Sequence, residues 1–274
     1  MFKAVILGII QGITDFLPVS SSAHLLILQH FLGIAEPDAL VDVCLHLGTL
    51  TAVVAFYRRQ VAGVVTEFWW MLWNVRQREE LAAALNGRPA LRAAILLIVG
   101  TIPTGIIGVT LKYQFEALFS SLLGVGLALI ITGLILLGTC RVSDSSRRMH
   151  RMGILDAVII GMIQGFAVMP GISRSGSTIA AALYLGLNRR VAATFSFLLC
   201  IPSILGASIL KLHESHLTTL SLGPILAGTL VAALVGYQTI KLLVKIIDQG
   251  RFWLFAPYCV LMGLGVVVYA LMSR

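Results

Sequence analysis

Long apolar runs separated by short basic clusters limit what this chain can fold into more than any other feature. Hydrophobic residues make up 58% of its 274 residues, and charged residues only 12%. A soluble domain carries about 25% charged residues, so the main solvent of this chain is expected to be lipid. We therefore predict an all-α polytopic membrane protein.

The net charge of +8 does not indicate a nucleic-acid partner. The basic residues stand between the apolar runs, as the positive-inside rule requires at the ends of membrane helices. The clusters are Arg58-Arg59, Arg76 to Arg92, Arg141 to Arg151, Arg189-Arg190 and Lys241 to Arg251. We expect the bilayer as partner and no nucleic acid. The four cysteines form no CxxC pair, so neither a zinc site nor a disulfide framework is expected.

Six apolar segments have close to the length of about 20 residues that spans a bilayer. They are 40–57, 93–111, 118–140, 191–211, 218–240 and 252–272. Segment 61–75 is different because it contains Trp69, Trp70 and Trp73. Since tryptophan favours the headgroup level, we predict an interfacial helix there.

Two pairs of shorter apolar segments are each interrupted by a polar break that contains a proline, Pro18 or Pro170. Each segment is too short to span a bilayer. Two short helices around a polar break indicate a re-entrant hairpin, which is tolerated only where protein or a wet cavity surrounds it. The predicted hairpins pair segments 2–17 with 22–33 and 153–169 with 179–188.

The two halves of the chain start alike. Gly8-Ile9-Ile10-Gln11-Gly12 matches Gly161-Met162-Ile163-Gln164-Gly165, and a proline and a serine-rich turn follow each of them. Each half is then a re-entrant hairpin plus three spans. We predict a single membrane domain over 1–274, made of repeat one (1–140), a cytoplasmic basic loop (141–152) and repeat two (153–274).

The arginines set the orientation. Placing loop 141–151 in the cytoplasm puts the other basic clusters there as well, and leaves Glu36 to Asp38 and His213 to His216 outside. The first hairpin then enters from outside and the second from inside, so the repeats have inverted topology. The hairpin tips are expected to meet near the midplane, in a site that faces the outside.

The second break, Pro170 to Thr178, holds a lone arginine among glycines and hydroxyls. Arg174 is predicted to clamp a phosphate group bidentately, and the flanking residues to cradle it with hydroxyls and backbone N–H groups. The alternative for Arg174 is a structural role at helix C-terminal carbonyls, and for the small residues close helix packing, which is favoured for Ser177. The predicted substrate-binding residues here are Ser173, Ser175, Gly176 and Thr178.

The first break supplies an acid, three serines and a histidine. Asp15 is predicted to hold a divalent cation (Mg²⁺ or Ca²⁺) or to act as a base. Gln11, which shares its helical face, is predicted to bind substrate. A carboxylate that only caps the break is the alternative. Ser20, Ser21 and Ser22 are possible nucleophiles or substrate ligands, with His24 as acid or base. His46 and Asp42 could form an outer shell or only pack and cap.

Two long motifs carry a family resemblance over nearly the whole chain. They are Gln11-Gly12-Ile13-Thr14-Asp15-Phe16-Leu17-Pro18-Val19-Ser20-Ser21-Ser22-Ala23-His24 and Pro170-Gly171-Ile172-Ser173-Arg174-Ser175-Gly176-Ser177-Thr178, supported by Leu47-Gly48-Thr49 and Phe195-Ser196-Phe197-Leu198-Leu199. With them the chain resembles the undecaprenyl-diphosphate phosphatase family, also known for bacitracin resistance. The family usually has glutamate where this chain has Asp15.

The resemblance implies a bacterial inner-membrane enzyme that removes one phosphate from the C55 isoprenoid diphosphate carrier and regenerates the monophosphate for cell-wall synthesis. It implies catalytic roles for Asp15, Ser21, His24 and Arg174. Our first choice of nucleophile is Ser21, with His24 moving the proton; His24 as nucleophile, or as base for a water, is the alternative. A transporter or lipid flippase is the competing class, because inverted repeats with broken helices also occur there. A homodimer is left open.

Overall fold

The computed structural model of this chain describes residues 1–31, 39–74, 88–111, 113–114, 121–214 and 222–272, and their regular secondary structure is helical. The predicted linker at 36–38, most of the basic cluster at 76–92 and residues 215–216 lie outside these ranges. In chain order the helices are α1 (Phe2–Thr14), α2 (Ser21–Phe31), α3 (Ala39–Phe56), α4 (Arg58–Asn74), α5 (Pro89–Thr110), α6 (Leu122–Gly138), α7 (Ile154–Phe166), α8 (Arg174–Tyr184), α9 (Arg189–Glu214), α10 (Leu222–Asp248) and α11 (Phe255–Met272).

Five helices in the described ranges are long and apolar enough to cross a membrane: α5, α6, α9, α10 and α11. Helix α3 has 18 residues, and it meets α4 at a bend of 88°. Trp69 and Trp73 on α4 are exposed. Helix α3, predicted as a sixth span, is apolar and long enough only together with α4. The exposed tryptophans agree with the interfacial helix predicted for α4, which stays a prediction.

Helix α10 is longer than the apolar segment 218–240 that the sequence indicated, because it continues to Asp248. Lys241 and Lys245 are exposed on its last turns. Lysine is a good helix former and keeps its charged head in water while its stem lies along apolar surface. The helix therefore continues past the apolar stretch instead of ending at its first charge.

The short helices of both predicted hairpins are present, α1 with α2 and α7 with α8; their re-entrant course in a membrane stays a prediction. The chain between them leaves the helical path at 15–20 and 167–173, because proline lacks an N–H group and disfavours helical backbone in the residue before it. Ser20 has φ 68° and Gly171 has φ 94°, so each break reverses through one left-handed residue. This backbone conformation is costly for serine and easy for glycine.

The first helix of each hairpin packs on a span from the other half of the chain. Helix α1 lies along α10, where Gly8 contacts the backbone of Gly228, and α7 lies along α5, where Gly161 contacts the backbone of Gly100. Small residues permit this close approach of helix backbones, which is common in membrane proteins. The matching glycines of the two halves therefore make matching contacts.

Each break is also tied to one of two spans that pack on each other, α6 and α11. Thr132 on α6 donates to the carbonyl of Gly171 (3.2 Å) and accepts from the N–H of Ser173 (3.1 Å). Cys259 on α11 donates to the carbonyl of Pro18 (3.3 Å). These bonds satisfy backbone groups that the breaks remove from helices, as buried backbone requires.

Arg147 is one of the residues that hold the basic loop between the halves. Arg147 pairs with Asp156 and donates to the carbonyl of Leu185 (2.7 Å). Asp156 also accepts from the N–H of Gly153 (2.6 Å), at the start of α7. Arg147 therefore fastens the beginning of α7 to the end of α8 and closes the base of the second hairpin.

Candidate active site

The two breaks meet at a cavity of about 190 Å³. Helices α2 and α8 both begin here, and a helix N-terminus offers unpaired N–H groups and a partial positive charge. The remaining wall comes from α3, α5, α7 and α9. The polar residues that line the whole cavity are Thr14, Asp15, Ser20, Ser21, Ser22, His46, Thr104, Gln164, Ser173, Arg174, Ser203, Ser208 and Lys211.

Arg174 and Asp15 form an ion pair across this cavity, with 3.2 Å between Nη2 and Oδ1. The Asp15 side chain is 4% exposed and that of Arg174 is 24% exposed, so the carboxylate is enclosed while the guanidinium still reaches the open space. This is the one hydrogen bond of the Arg174 side chain found in the described ranges, and it goes to no helix C-terminal carbonyl. The alternative of a carbonyl-capping arginine therefore has no support in the geometry.

The Asp15 carboxylate receives two further donors, and both are side-chain hydroxyls. Ser21 Oγ donates to Oδ1 (3.1 Å) and Thr49 Oγ1 donates to Oδ2 (2.6 Å). A carboxylate that merely caps the break would accept backbone N–H groups instead. Asp15 thus joins the guanidinium of the second hairpin to a candidate nucleophile of the first.

Ser20 and Ser173 occupy the same place in their hairpins, just before α2 and α8. Ser173 Oγ accepts from the N–H of Gly176 (3.1 Å), and Ser20 Oγ accepts from the N–H of Ala23 (3.4 Å). Both are buried N-cap residues that line the cavity. Their hydroxyls keep the two helix N-termini formed and aimed at the space between them.

The breaks touch directly. The N–H of Gly171 donates to Ser22 Oγ (3.3 Å), and Ser175 Oγ lies 3.5 Å from the carbonyl oxygen of Leu17. At Gly176 a Cβ atom would lie 3.1 Å from the Pro18 side chain. The absence of a side chain at this position allows the N-terminus of α8 to approach the first break.

Some predicted residues lie in the wall behind the cavity. Ser175 and Thr178 border a space of about 10 Å³ next to Asp15 and Arg174, and Thr178 Oγ1 donates to the carbonyl of Arg174 (2.9 Å). Ser177 is buried and its hydroxyl has no partner in the described ranges, as expected of a packing residue. The substrate-binding roles of Ser175, Gly176 and Thr178 stay predictions.

Gln11 and His24 do not line the cavity. Gln11 is fully buried, and neither its amide nitrogen nor its amide oxygen has a partner among the described residues. The ring of His24 stacks on Tyr258 of α11. Its Nδ1 lies 2.8 Å from the carbonyl oxygen of Ser20 and its Nε2 lies 2.7 Å from the Tyr258 hydroxyl. With Nδ1 donating to the carbonyl, Nε2 accepts the tyrosine O–H, so both nitrogens are engaged away from Arg174.

Sequence reasoning missed the wall that α5, α7 and α9 provide. Gln164 donates to Ser203 (2.7 Å) and to the carbonyl of Leu199 (3.2 Å), and its own oxygen has no partner in the described ranges. Thr104 lies beside it (3.4 Å). The signal was available, since Gln164 matches Gln11 in the repeat. Lys211, near the end of α9, lines the cavity and is exposed.

The oxygen atoms of the cavity fit a magnesium ion that is also bound by phosphates of the substrate. No group of three His, Cys, Asp or Glu residues that could hold a metal occurs in the described ranges, and Asp15 is the only carboxylate among the lining residues. Mg²⁺ is usually held by one or two carboxylates together with substrate phosphates, whereas Ca²⁺ takes six to eight oxygens. Gln11 lies one helical turn before Asp15 and its amide oxygen is unpaired in the described ranges, but it does not line the cavity.

Comparison with known proteins adds to this geometry. The family profile described as "Bacitracin resistance protein BacA" matches residues 4–265. Proteins named undecaprenyl-diphosphatase are similar over nearly their full length: that of Desulforapulum autotrophicum is 43% identical, with 96% of each chain covered. Those of Desulfosudis oleivorans and Methanosphaera stadtmanae are 45% and 40% identical, covering 97% and 98% of this chain and 97% of each relative.

Proposed function

The chain belongs to the bacitracin resistance protein BacA family, and from this premise we propose that it hydrolyses undecaprenyl diphosphate to the monophosphate and inorganic phosphate. The observation that carries the proposal is the cavity where Arg174, Asp15 and Ser21 meet. It contains a fixed cation for phosphate, a hydroxyl that can attack phosphorus and a carboxylate bonded to that hydroxyl. A site with these three groups is equipped for phosphoryl transfer.

The diphosphate binds at the N-termini of α2 and α8. Guanidinium N–H groups of Arg174 leave Asp15 and bind the terminal phosphate. The phosphate carries more charge than a carboxylate and accepts a bidentate pair of hydrogen bonds. The first-turn N–H groups of both helices and the side chain of Lys211 oppose the remaining charge. The binding roles of Ser20, Ser22 and Ser173 are to hold these N–H groups in place and to offer hydroxyls to the phosphate oxygens.

Ser21 Oγ attacks the terminal phosphorus, and the bond from that phosphorus to the bridging oxygen breaks. The hydroxyl proton passes to Asp15, whose Oδ1 already accepts it (3.1 Å). The lipid leaves as its monophosphate, with the bridging oxygen as its new terminal oxygen. Water then attacks the phosphorus of the phosphoserine and the bond from phosphorus to Ser21 Oγ breaks. Asp15 returns its proton to Oγ, and the phosphate formed with the water oxygen leaves as inorganic phosphate. In the alternative, His24 or a water is the nucleophile; His24 must first leave Tyr258.

A divalent cation is part of the proposal, with Mg²⁺ favoured over Ca²⁺ by the small donor set. Asp15 would hold it, as the one carboxylate that lines the cavity in the described ranges. When bound, the ion offsets phosphate charge as a Lewis acid. The protein's own share is the fixed guanidinium and the aligned N–H groups, which are in place before the substrate arrives.

The isoprenoid tail leaves the cavity through its apolar side. Val43, Ile172, Ile204 and Ala207 line the cavity, and so does Val168, which is 50% exposed on the outside of the helices. A chain that passes Val168 enters the bilayer directly. This path explains why one cavity combines serines and charges with aliphatic walls.

The inverted arrangement of two repeats is also proposed, in a bacterial inner membrane with the cavity open to the outside. It is supported by the reciprocal packing of α1 on α10 and α7 on α5 through Gly8 and Gly161. The matched N-caps Ser20 and Ser173 support it as well. Cysteine accessibility from the two sides of sealed vesicles, at Ser143 and Thr110 in a cysteine-free background, tests the orientation.

The test of function is release of inorganic phosphate from C55 diphosphate by the purified, detergent-solubilised chain. We expect release that needs a divalent cation and stops with chelator. The competing flippase predicts headgroup movement across liposome membranes without phosphate release. Turnover in detergent, where no second leaflet exists, separates the two.

A further inference from the structure

A second continuous groove runs along the face of α4, α5 and α9, away from the active-site cavity. It begins at a cationic pocket of about 760 Å³ bordered by Arg148, His150 and Arg190, and leads through a space of about 330 Å³. It ends in an apolar trough of about 370 Å³. The three parts share walls, since Met149 and Val191 border the first two and Val64 and Leu198 the last two.

The cationic pocket contains side-chain donors that make no hydrogen bond or ion pair with a described residue. Asp248 is bonded to Arg190 (3.0 Å), and Asp144 accepts from the N–H of Ser145 (3.0 Å) and from Asn188 (3.4 Å). Arg148 and His150 are exposed, and their side chains have no hydrogen bond or ion pair to a described residue. An anion entering this pocket would therefore meet the unpaired donors of Arg148 and His150. Of the two nearby carboxylates, Asp248 is paired with Arg190, whereas Asp144 accepts only neutral N–H groups, at Oδ1.

The apolar trough is built for a hydrocarbon chain. Its lining residues are Val61, Val64, Val65, Phe68, Ala94, Leu97, Ile98, Thr101, Ile102, Leu198, Ile201 and Pro202. Val65 and Ile102 are 48% and 57% exposed, so the trough faces the lipid. From Pro89 to Ile102 helix α5 runs for about 20 Å at 1.5 Å per residue, which is long enough for an acyl chain in one leaflet, about 15 Å deep.

We propose that this groove binds an anionic glycerophospholipid, with its phosphate at Arg148 and His150 and one acyl chain in the trough. Basic pockets between membrane helices recognise lipid headgroups in this way. Among the described residues, neither the trough nor the cationic pocket shares a lining residue with the active-site cavity. The proposed lipid site is therefore separate from the site of the reacting diphosphate. That the lipid belongs to the cytoplasmic leaflet rests on the proposed orientation; the binding itself does not.

The experiment is native mass spectrometry of the delipidated, detergent-solubilised full chain, titrated with dioleoyl phosphatidylglycerol or dioleoyl phosphatidylcholine. We expect phosphatidylglycerol to bind more tightly. Arg148→Gln should weaken its binding about fivefold, the effect of removing one basic residue near a lipid phosphate. Adding His150→Gln to this variant should weaken binding further. Arg141→Gln is the matched control, because Arg141 lies in the same loop and is exposed but does not border the pocket.

Blocking the trough tests the acyl chain separately. Val64→Trp places an indole where the middle space opens into the trough, and Ile98→Trp places one in the lipid-facing wall of the trough. Each variant should lose tight phosphatidylglycerol binding but still release phosphate from C55 diphosphate. That continued release also shows that the variants fold.

The proposal fails if Arg148→Gln binds phosphatidylglycerol as wild type does, or if inorganic phosphate alone displaces the lipid. It also fails if an isoprenoid monophosphate displaces the phospholipid at equal concentration, since the occupant would then be the reaction product.

Discussion

Arg174 and Asp15 stand 159 positions apart in the sequence and form an ion pair of 3.2 Å at the junction of two hairpins. The pair puts the site's cation in contact with the carboxylate that also accepts from Ser21. A phosphate that enters the cavity therefore competes with Asp15 for the guanidinium. Binding the substrate frees the carboxylate for the proton and for a metal ion.

Asp15→Asn should lower kcat by about 10²-fold or more, since the proton acceptor is lost, while KM for the diphosphate stays equal or falls because Arg174 no longer has a competing anion. The Mg²⁺ concentration needed for half-maximal rate should rise. Phosphate release measured at a series of Mg²⁺ concentrations checks all three quantities.

Thr49→Val is the matched control for this variant, because it removes one hydroxyl donor to Asp15 (2.6 Å) and no charge. It should reduce kcat less than Asp15→Asn and leave the Mg²⁺ dependence close to wild type. An unchanged Mg²⁺ dependence in Asp15→Asn itself would contradict the assignment of Asp15 as a metal ligand.

Ser21 is predicted to carry the covalent intermediate. Rapid acid quenching of a reaction with C55 diphosphate labelled in its terminal phosphate should leave label on Ser21, and Ser21→Ala should lose both the label and about 10³-fold or more in kcat. Ser22→Ala is the control, since Ser22 Oγ contacts the Gly171 N–H and not Asp15. Label on His24, or a full rate in Ser21→Ala, would assign the attack to another group.

The sequence was sufficient to predict the hairpins, because Pro18 and Pro170 interrupt apolar stretches that are too short to span. It also predicted that the two breaks would meet, but not that Arg174 would pair with Asp15. It could not predict which way each side chain of the first break turns. Ser20 takes a left-handed conformation, and this sets the rotation of α2 that leaves Ser21 at Asp15 and turns His24 toward Tyr258.

The sequence did not predict the cavity wall that α7 and α9 provide, and the reason is different. Gln164, Ser203 and Lys211 belong to α7 and α9, and only the packing of the second half on the first brings them to the site. Their polar side chains lie in apolar helices, where sequence alone does not distinguish a cavity-lining serine from one that bonds its own helix. The groove along α4 and α5 is likewise a product of packing.

Gly171→Ala should destabilise the fold by about 2–4 kcal/mol, since an alanine there adds the cost of a left-handed residue to that of overpacking. Gly171 has φ 94°, and its new Cβ would lie 2.6 Å from that of Ala128. Gly186→Ala is the control, because Gly186 has φ 76° and open space around it. Thermal unfolding in detergent should show a larger loss for Gly171→Ala; equal losses would mean that the contact with α6 contributes nothing.

His24 and Tyr258 should act as one unit if the histidine positions α2 against α11 through their hydrogen bond (2.7 Å). Tyr258→Phe should then lower kcat several-fold, and the double variant with His24→Gln should be no slower than His24→Gln alone. The pair of single variants and the double variant form a complete cycle. Additive effects, or a faster Tyr258→Phe enzyme, would instead indicate that His24 works in the cavity free of Tyr258.

The most direct test of the account is phosphate release from C55 diphosphate by purified wild type, Arg174→Lys and Arg174→Ala. Arg141→Ala serves as control, since this exposed arginine lies outside the cavity. The account predicts a loss of about 10²–10³-fold in kcat/KM for Arg174→Ala, the effect of removing a preorganised donor to transition-state charge, and a smaller loss for Arg174→Lys, which keeps the charge but not the bidentate fork. An Arg174→Ala protein that hydrolyses the diphosphate as fast as wild type would contradict it.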